Sequence, residues 1–261
     1  MHPLVDVWAT TEDQLATLEA AIDAQPIAAG TLVQLLRHNA TASIEDGLFA
    51  ESLAYSSLQQ SAGFRAWRDS GAKPKARPLT APPTLLARDG ATLEIVLNRP
   101  DAHNAYCTEM RDGLVEGLHL AYTDPSVACV TLRGNGPSFC SGGDLAEFGA
   151  VTDAGLAHLS RTTRSAGRLL ARLECDTVAY VHGACIGAGI EVPAFADRIV
   201  ARAGAFFQLP EVAFGLVPGA GGTVSVTKRI GRERTAWMAL SNARIDAATA
   251  LAWGLVDELA D

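Results

Sequence analysis

The chain has 261 residues, 48% of them hydrophobic and 19% charged, an ordinary balance for a folded protein with a sizeable core. A formal net charge of −8 argues against nonspecific nucleic-acid binding. No apolar run approaches the length of a membrane span, and the N-terminus lacks the basic and apolar regions of a signal peptide. The five cysteines, Cys107, Cys129, Cys140, Cys175 and Cys185, form no Cys-x-x-Cys pair, and their odd number points to free thiols in a reduced, cytoplasmic protein. The six histidines are scattered, so no metal site is expected.

Residues 1–70 read as helical. Thr11 is an N-cap before an acidic first turn, and Leu15, Leu18 and Ile22 fall on one face. Gln25-Pro26 interrupts, Ile27–His38 resumes the periodicity, Leu48–Leu58 follows, and Ala62–Ser70 forms a last helix carrying Phe64 and Trp67. This part is expected to pack or oligomerise. Residues 71–84 place Lys73, Lys75 and Arg77 among Pro74, Pro78, Pro82 and Pro83, which suits an extended linker. Its charges are either solvated or meet the phosphates of a ligand.

From Leu85 the pattern alternates. Two apolar runs flank Asp89-Gly90, a hairpin signal. A loop at Arg99–Asn104, a helix at Thr108–Ala121, a strand at Ala128–Arg133 and a glycine-rich loop to Asp144 come next. A helix over Leu156–Leu173 then leads to a strand at Val178. Such alternation implies βαβ units, with ligands where glycine-rich turns follow strands. The stretch Val178–Glu191 is a strand, a tight glycine turn and an Ala-rich helix from Ile190, in which Pro193 is tolerable only in the first turn. Free N–H groups and the positive end of that helix would converge at Gly187–Gly189 beside a carboxylate.

Gly187-Ala-Gly lacks the third glycine of a dinucleotide fingerprint, and neither glycine-rich segment carries the Lys-Ser/Thr of a phosphate loop. A better reading combines Phe139-Cys-Ser-Gly-Gly-Asp-Leu, Ile186-Gly-Ala-Gly-Ile-Glu and the segment from Phe207 through Glu211 to Thr223. Together with Asn98-Arg-Pro-Asp-Ala-His-Asn-Ala and Asp246–Asp257, these segments resemble the crotonase family, the enoyl-CoA hydratase/isomerase superfamily, in the family's order from about Leu85 to Asp261.

The resemblance implies an α/β fold, with a crotonase-like ββα superhelix core over residues 85–261 and a separate helical module over residues 1–70. It implies a homotrimer or homohexamer and an acyl-CoA thioester as partner, with no separate cofactor because coenzyme A is carried by the substrate. Gly143 and Ala188 match the two backbone amides that hold the thioester oxygen; Ala188 departs from the usual glycine, but only its N–H is required. Glu191 matches the base toward water and Glu211 the acid toward C2, which implies an enoyl-CoA hydratase. An enoyl-CoA isomerase and a catalytically silent acyl-CoA-binding scaffold are the alternatives. Ala102, Asp144, Leu145 and Ala146 match the family's coenzyme A contacts, although Asp144 equally suits a helix cap. His182 is expected to be buried and hydrogen-bonded, Tyr106 to pack, and Arg133, Lys228 and Arg229 to be solvated.

The family continues beyond the position of Asp261 with helices that pack over the site. Here Leu4-Val-Asp echoes Leu255-Val-Asp, and Gly47-Leu-Phe-Ala-Glu through Phe64-Arg-Ala-Trp-Arg resembles those closing helices. The expectation is a circular permutation, with Phe64 or Trp67 lining the acyl-CoA pocket, the chain's own or a neighbour's.

Overall fold

The computed structural model describes residues 5–71 and 74–261; Leu4 and Lys73, which enter the sequence reading, lie outside them. Four helices come first: α1 (Glu12–Ala24), α2 (Pro26–Asn39), α3 (Ile44–Leu58) and α4 (Ala62–Asp69). Local chemistry sets their starts. The hydroxyls of Thr11, Ser43 and Ser61 accept from the amides of Gln14, Asp46 and Phe64, and Pro26 opens α2, where its missing N–H costs nothing. The expected apolar face of α1 is only partly used: Leu18 is buried, but Leu15 is 49% and Ile22 39% exposed.

Residues 74–83 form no helix or strand. The hairpin follows as β1 (Thr84–Asp89) and β2 (Thr92–Leu97), with Gly90 at positive φ in the turn. Then come α5 (Thr108–Thr123), β3 (Cys129–Gly134), α6 (Ala154–Thr163), α7 (Ala166–Leu170), β4 (Asp176–Val181), β5 (Ala184–Ile186) and α8 (Ala188–Glu191). The chain ends with β6 (Arg198–Arg202), β7 (Phe206–Gln208), α9 (Gly222–Ile230), α10 (Arg232–Ser241), β8 (Ile245–Asp246), α11 (Ala247–Trp253) and β9 (Glu258–Ala260).

The large sheet has the order β1-β2-β3-β4-β6-β9, parallel from β2 onward, and the small one β5-β7-β8. Successive turns of chain give one strand to each sheet. β4 is followed by β5 and β6 by β7, while Cys140, after β3, bridges to Cys185 of β5. This is a ββα superhelix, the α/β architecture expected for residues 85–261, with a helical N-terminal part.

Two helices differ from their expected form. Leu156–Leu173 is broken into α6 and α7 at Arg164, because the Ser165 hydroxyl accepts from the Arg168 amide and starts a new helix. The helix expected from Ile190 starts earlier, at Ala188, and stops at Glu191; Pro193 opens a separate 3-10 turn to Phe195.

The N-terminal helices lie against the core. α2 and α3 pack on α9, and α1 on α10, burying Leu32, Leu35 and Leu36. α3 approaches α9 so closely that a Cβ on Gly47 would stand 2.8 Å from a Val224 methyl. Among the described residues no helix is long and apolar enough to cross a membrane.

Phe64 is 1% exposed and stacks on Trp67 with ring centroids 5.7 Å apart. Phe64→Ala is expected to cost about 3–5 kcal/mol, because the surrounding core cannot collapse onto the vacated ring volume. Urea unfolding of both proteins measures it.

Candidate active site

Two glycine-rich loops meet because their flanks are zipped together. The amides of Phe139 and Cys140 donate to His182 and Ala184, and the Ile186 amide donates back to Cys140. The first loop is anchored behind by the wholly buried Asn104, whose side chain accepts from the Arg99 amide at 2.7 Å and donates to the carbonyls of Asn135 and Ser138. Gly143 and Ala188 thereby line one cavity of about 220 Å³. Among the described residues neither N–H has a protein acceptor. Ala188 is the first residue of α8, so its N–H has no partner within the helix. α8 is a single turn, so the donor strength comes from that free N–H more than from a summed helix dipole.

Glu191 and Glu211 face the same cavity, and both are buried. Gly187 makes their approach possible. It sits at φ 50°, ψ −122°, and a Cβ there would lie 2.4 Å from Glu211 Oε1 and 3.6 Å from Glu191 Oε1. Both oxygens lie close to the point that the Cβ of any other residue would fill.

Their environments differ. Glu191 Oε2 accepts from the amides of Ala220 at 2.7 Å and Gly222 at 2.9 Å. Burial pushes its pKa up to about 7, while the amides of Gly222, Ala220 and Gly219 hold it from rising further. Glu211 stands in a 3-10 turn (Glu211–Phe214), and its buried Oε2 has no hydrogen-bond partner among the described residues. Burial first, and then the neighbouring Glu191, push its pKa well above the carboxylate range. One carboxyl is therefore prepared to be an anion and the other to keep its proton.

A third buried glutamate, Glu51 of α3, escaped the sequence reading. Its carboxylate accepts from the amides of Gly221 at 2.7 Å and Thr223 at 3.0 Å and from the Thr223 hydroxyl at 2.6 Å. Burial, and then Glu191, push its pKa up to about 8. The local signal was a lone acid at helical spacing among Leu48, Ser52 and Tyr55 on the inward face of α3.

The other expected residues divide. Ala102, Asp144 and Leu145 line a neighbouring cavity of about 230 Å³ together with Lys75 and Arg77, and Gly143 borders both spaces. Asp144 is neither a free contact nor a helix cap: it pairs with Arg99 at 2.6 Å, both side chains largely buried, and closes a turn onto the Ala146 amide. Ala146 lines neither cavity. Trp67 does not line the cavity either; it packs on Phe148 and Phe214 at 6.0 and 4.9 Å, and Phe148 forms the wall. Tyr106, expected only to pack, lines the wall too. His182 is hydrogen-bonded to the Gly136 carbonyl at 2.9 Å, as expected, but is only half-buried because this bond lies at the surface. Arg229 is not solvated but donates to the carbonyls of Ala194 and Ala196 and pairs with Asp257. Arg133 pairs with Glu94 and lies over the Tyr180 ring.

Residues 88–260 match the family model described as Enoyl-CoA hydratase/isomerase. The chain is 35% identical over 178 residues to the 2,3-dehydroadipyl-CoA hydratase of Escherichia coli (strain K12), covering 67% of this chain and 68% of that protein. It is 36% identical over 175 residues to a mevalonyl-coenzyme A hydratase of Beauveria bassiana, covering 64% and 62%. The enoyl-CoA hydratase structure from Thermoplasma volcanium GSS1 superposes with a TM-score of 0.64 at 30% identity, over 69% of this chain and 73% of that one. The chain thus spans about two thirds of the length of the curated relatives it matches.

Glu51→Ala removes the acceptor from three buried donors and is expected to destabilise the protein by about 3 kcal/mol or more. Glu51→Gln keeps one acceptor oxygen and is expected to lose less. Urea unfolding at neutral pH distinguishes the two, and equal stability of all three proteins would remove the anchoring role.

Proposed function

The chain belongs to the enoyl-CoA hydratase/isomerase family, and from the geometry of its site we propose that it adds water across the C2–C3 double bond of a 2-enoyl-CoA thioester. The observation that carries this reading is the pair of unlike carboxyls, Glu191 held by amides and Glu211 with an Oε2 that has no partner among the described residues, beside two free N–H groups. The Glu191 carboxylate takes a proton from water as the water oxygen bonds to C3. The electrons of the double bond move onto the thioester oxygen, where the amides of Gly143 and Ala188 stabilise the enolate. One preorganised donor of this kind is worth about 3–4 kcal/mol. The Glu211 carboxyl then gives its proton to C2, and a proton passes from Glu191 back to Glu211 between turnovers. Isomerisation needs only one of the two carboxyls, so two oppositely prepared ones favour hydration. The reaction asks for no further cofactor. Lys75 and Arg77, beside Ala102 and Leu145, suit the phosphates of coenzyme A.

The same reading extends to chain order: residues 1–70 take the part of the family's closing helices, 71–84 join the former ends, and the chain is circularly permuted. Supporting this, the superposition leaves about a third of this chain and about a quarter of the solved hydratase unmatched, while α1–α3 lie against α9 and α10 and supply Glu51. Assembly as a trimer or pair of trimers, in a reduced cytoplasmic setting, belongs to this reading. The exposed Leu156 and Leu159 of α6 and Phe49 and Leu53 of α3 suit such contacts.

Hydration of crotonyl-CoA, followed by loss of the conjugated thioester absorbance, is expected to fall roughly 10²–10⁴-fold in Glu191→Gln and in Glu211→Gln. Full activity in both would sink the two-carboxyl mechanism, and tight acyl-CoA binding without turnover in the unaltered protein would leave a scaffold. The rate is expected to rise through about pH 7 as Glu191 loses its proton, and to fall at higher pH as Glu211 ionises. An acid limb at the pH of an ordinary carboxylate contradicts this. For the permutation, moving residues 5–70 after Asp261 is expected to extend the superposition on the solved hydratases to nearly their whole length. Helices that then match nothing would reject it.

A further inference from the structure

The cavity bearing the two free amides shares Tyr106, Arg111, Arg161, Gly219 and Ala220 with a smaller adjoining space of about 80 Å³. Four arginines line that space: Arg111, Arg161, Arg164 and Arg168. The carboxylates that serve them are shared. Asp112 pairs with Arg111 at 2.8 Å and lies 3.9 Å from Arg164, while Glu45 lies 3.3 Å from Arg168 and 2.7 Å from Arg172. Arg161 has none: among the described residues no carboxylate lies within ion-pair distance of it. Its guanidinium stands 4.5 Å over the Tyr55 ring and donates to the Ser56 hydroxyl, and its buried Nε has no acceptor. Glu51 also borders the space, but its oxygens are taken up by Gly221 and Thr223.

Burial of this guanidinium is costly, and Glu51, the carboxyl whose charge acts on it, is already bonded to Gly221 and Thr223, so the tail of a simple fatty acyl chain would leave that cost unmet. A carboxylate placed there would meet the guanidinium of Arg161 where it lines the space and gain a charge-assisted bond in a largely buried site. We propose that the substrate's acyl chain ends in a carboxylate, and that Arg161 receives it. The protein's substrates are then ω-carboxylated 2-enoyl-CoA thioesters, with the thioester oxygen at Gly143 and Ala188 and the distal carboxylate in the arginine-lined space. This inference rests on the acyl-CoA reading of the site.

The test compares 2-hexenoyl-CoA with its ω-carboxylated counterpart, 5-carboxy-2-pentenoyl-CoA. The carboxylated thioester is expected to have a kcat/KM about tenfold higher or more, the ratio that one charge-assisted hydrogen bond supports. In Arg161→Gln that ratio falls toward one, and in Arg161→Lys part of it is kept. Calorimetric affinities of the saturated pair, hexanoyl-CoA and adipyl-CoA, are expected to follow the same order. If the protein binds the saturated pair unequally but hydrates neither enoyl thioester, the hydratase reading fails and the tail preference stands. Equal treatment of each pair, or preference for the methyl-ended member, overturns the proposal. So does a ratio unchanged by Arg161→Gln, and binding of neither thioester overturns both readings.

Discussion

Four consecutive amides, from Ala220 to Thr223 at the start of α9, are divided between two buried carboxylates, and the site depends on that division. Ala220 and Gly222 donate to Glu191, and Gly221 and Thr223 donate to Glu51. Gly222 and Thr223 open α9 and have no partners within it, Ala220 and Gly221 precede it, and burial makes an acceptor obligatory for all four. One acceptor comes from the core and the other from α3, so the N-terminal helices hold the same backbone that holds Glu191. Asn39 of α2 adds to this by donating to the Thr223 hydroxyl at 2.9 Å.

That backbone sets the chemical character of the carboxyls. Glu191 keeps its anion within reach of neutral pH because amides oppose the cost of burial, whereas Glu211 has no such donor at Oε2. Two side chains of one type, both close to Gly187, acquire opposite proton preferences because amides oppose the burial of one, while burial and the neighbouring Glu191 act together on the other.

Local signals in the sequence were reliable where the physics is local. The N-cap at Thr11, the Asp89-Gly90 hairpin and the alternation of strands and helices are decided by a few neighbouring residues. The breaks at Arg164 and Pro193 are local as well, but there a side-chain cap and a missing N–H outweighed an apolar pattern that ran straight through. Trp67 had the composition of a pocket residue, yet its ring contacts Phe148, which forms the wall in its place.

The sequence by itself determined the family, the α/β superhelix and the glycine turn at Gly187, because motif order and the demand for a Cβ-free position are written in residue types. Only the tertiary structure decided that Glu51 meets amides 170 residues away, that Asp144 is tied to Arg99, and that Arg161 lies beside the cavity with no carboxylate of the described residues in ion-pair distance. Those outcomes depend on which groups burial forces together, and no local pattern of residues carries that information.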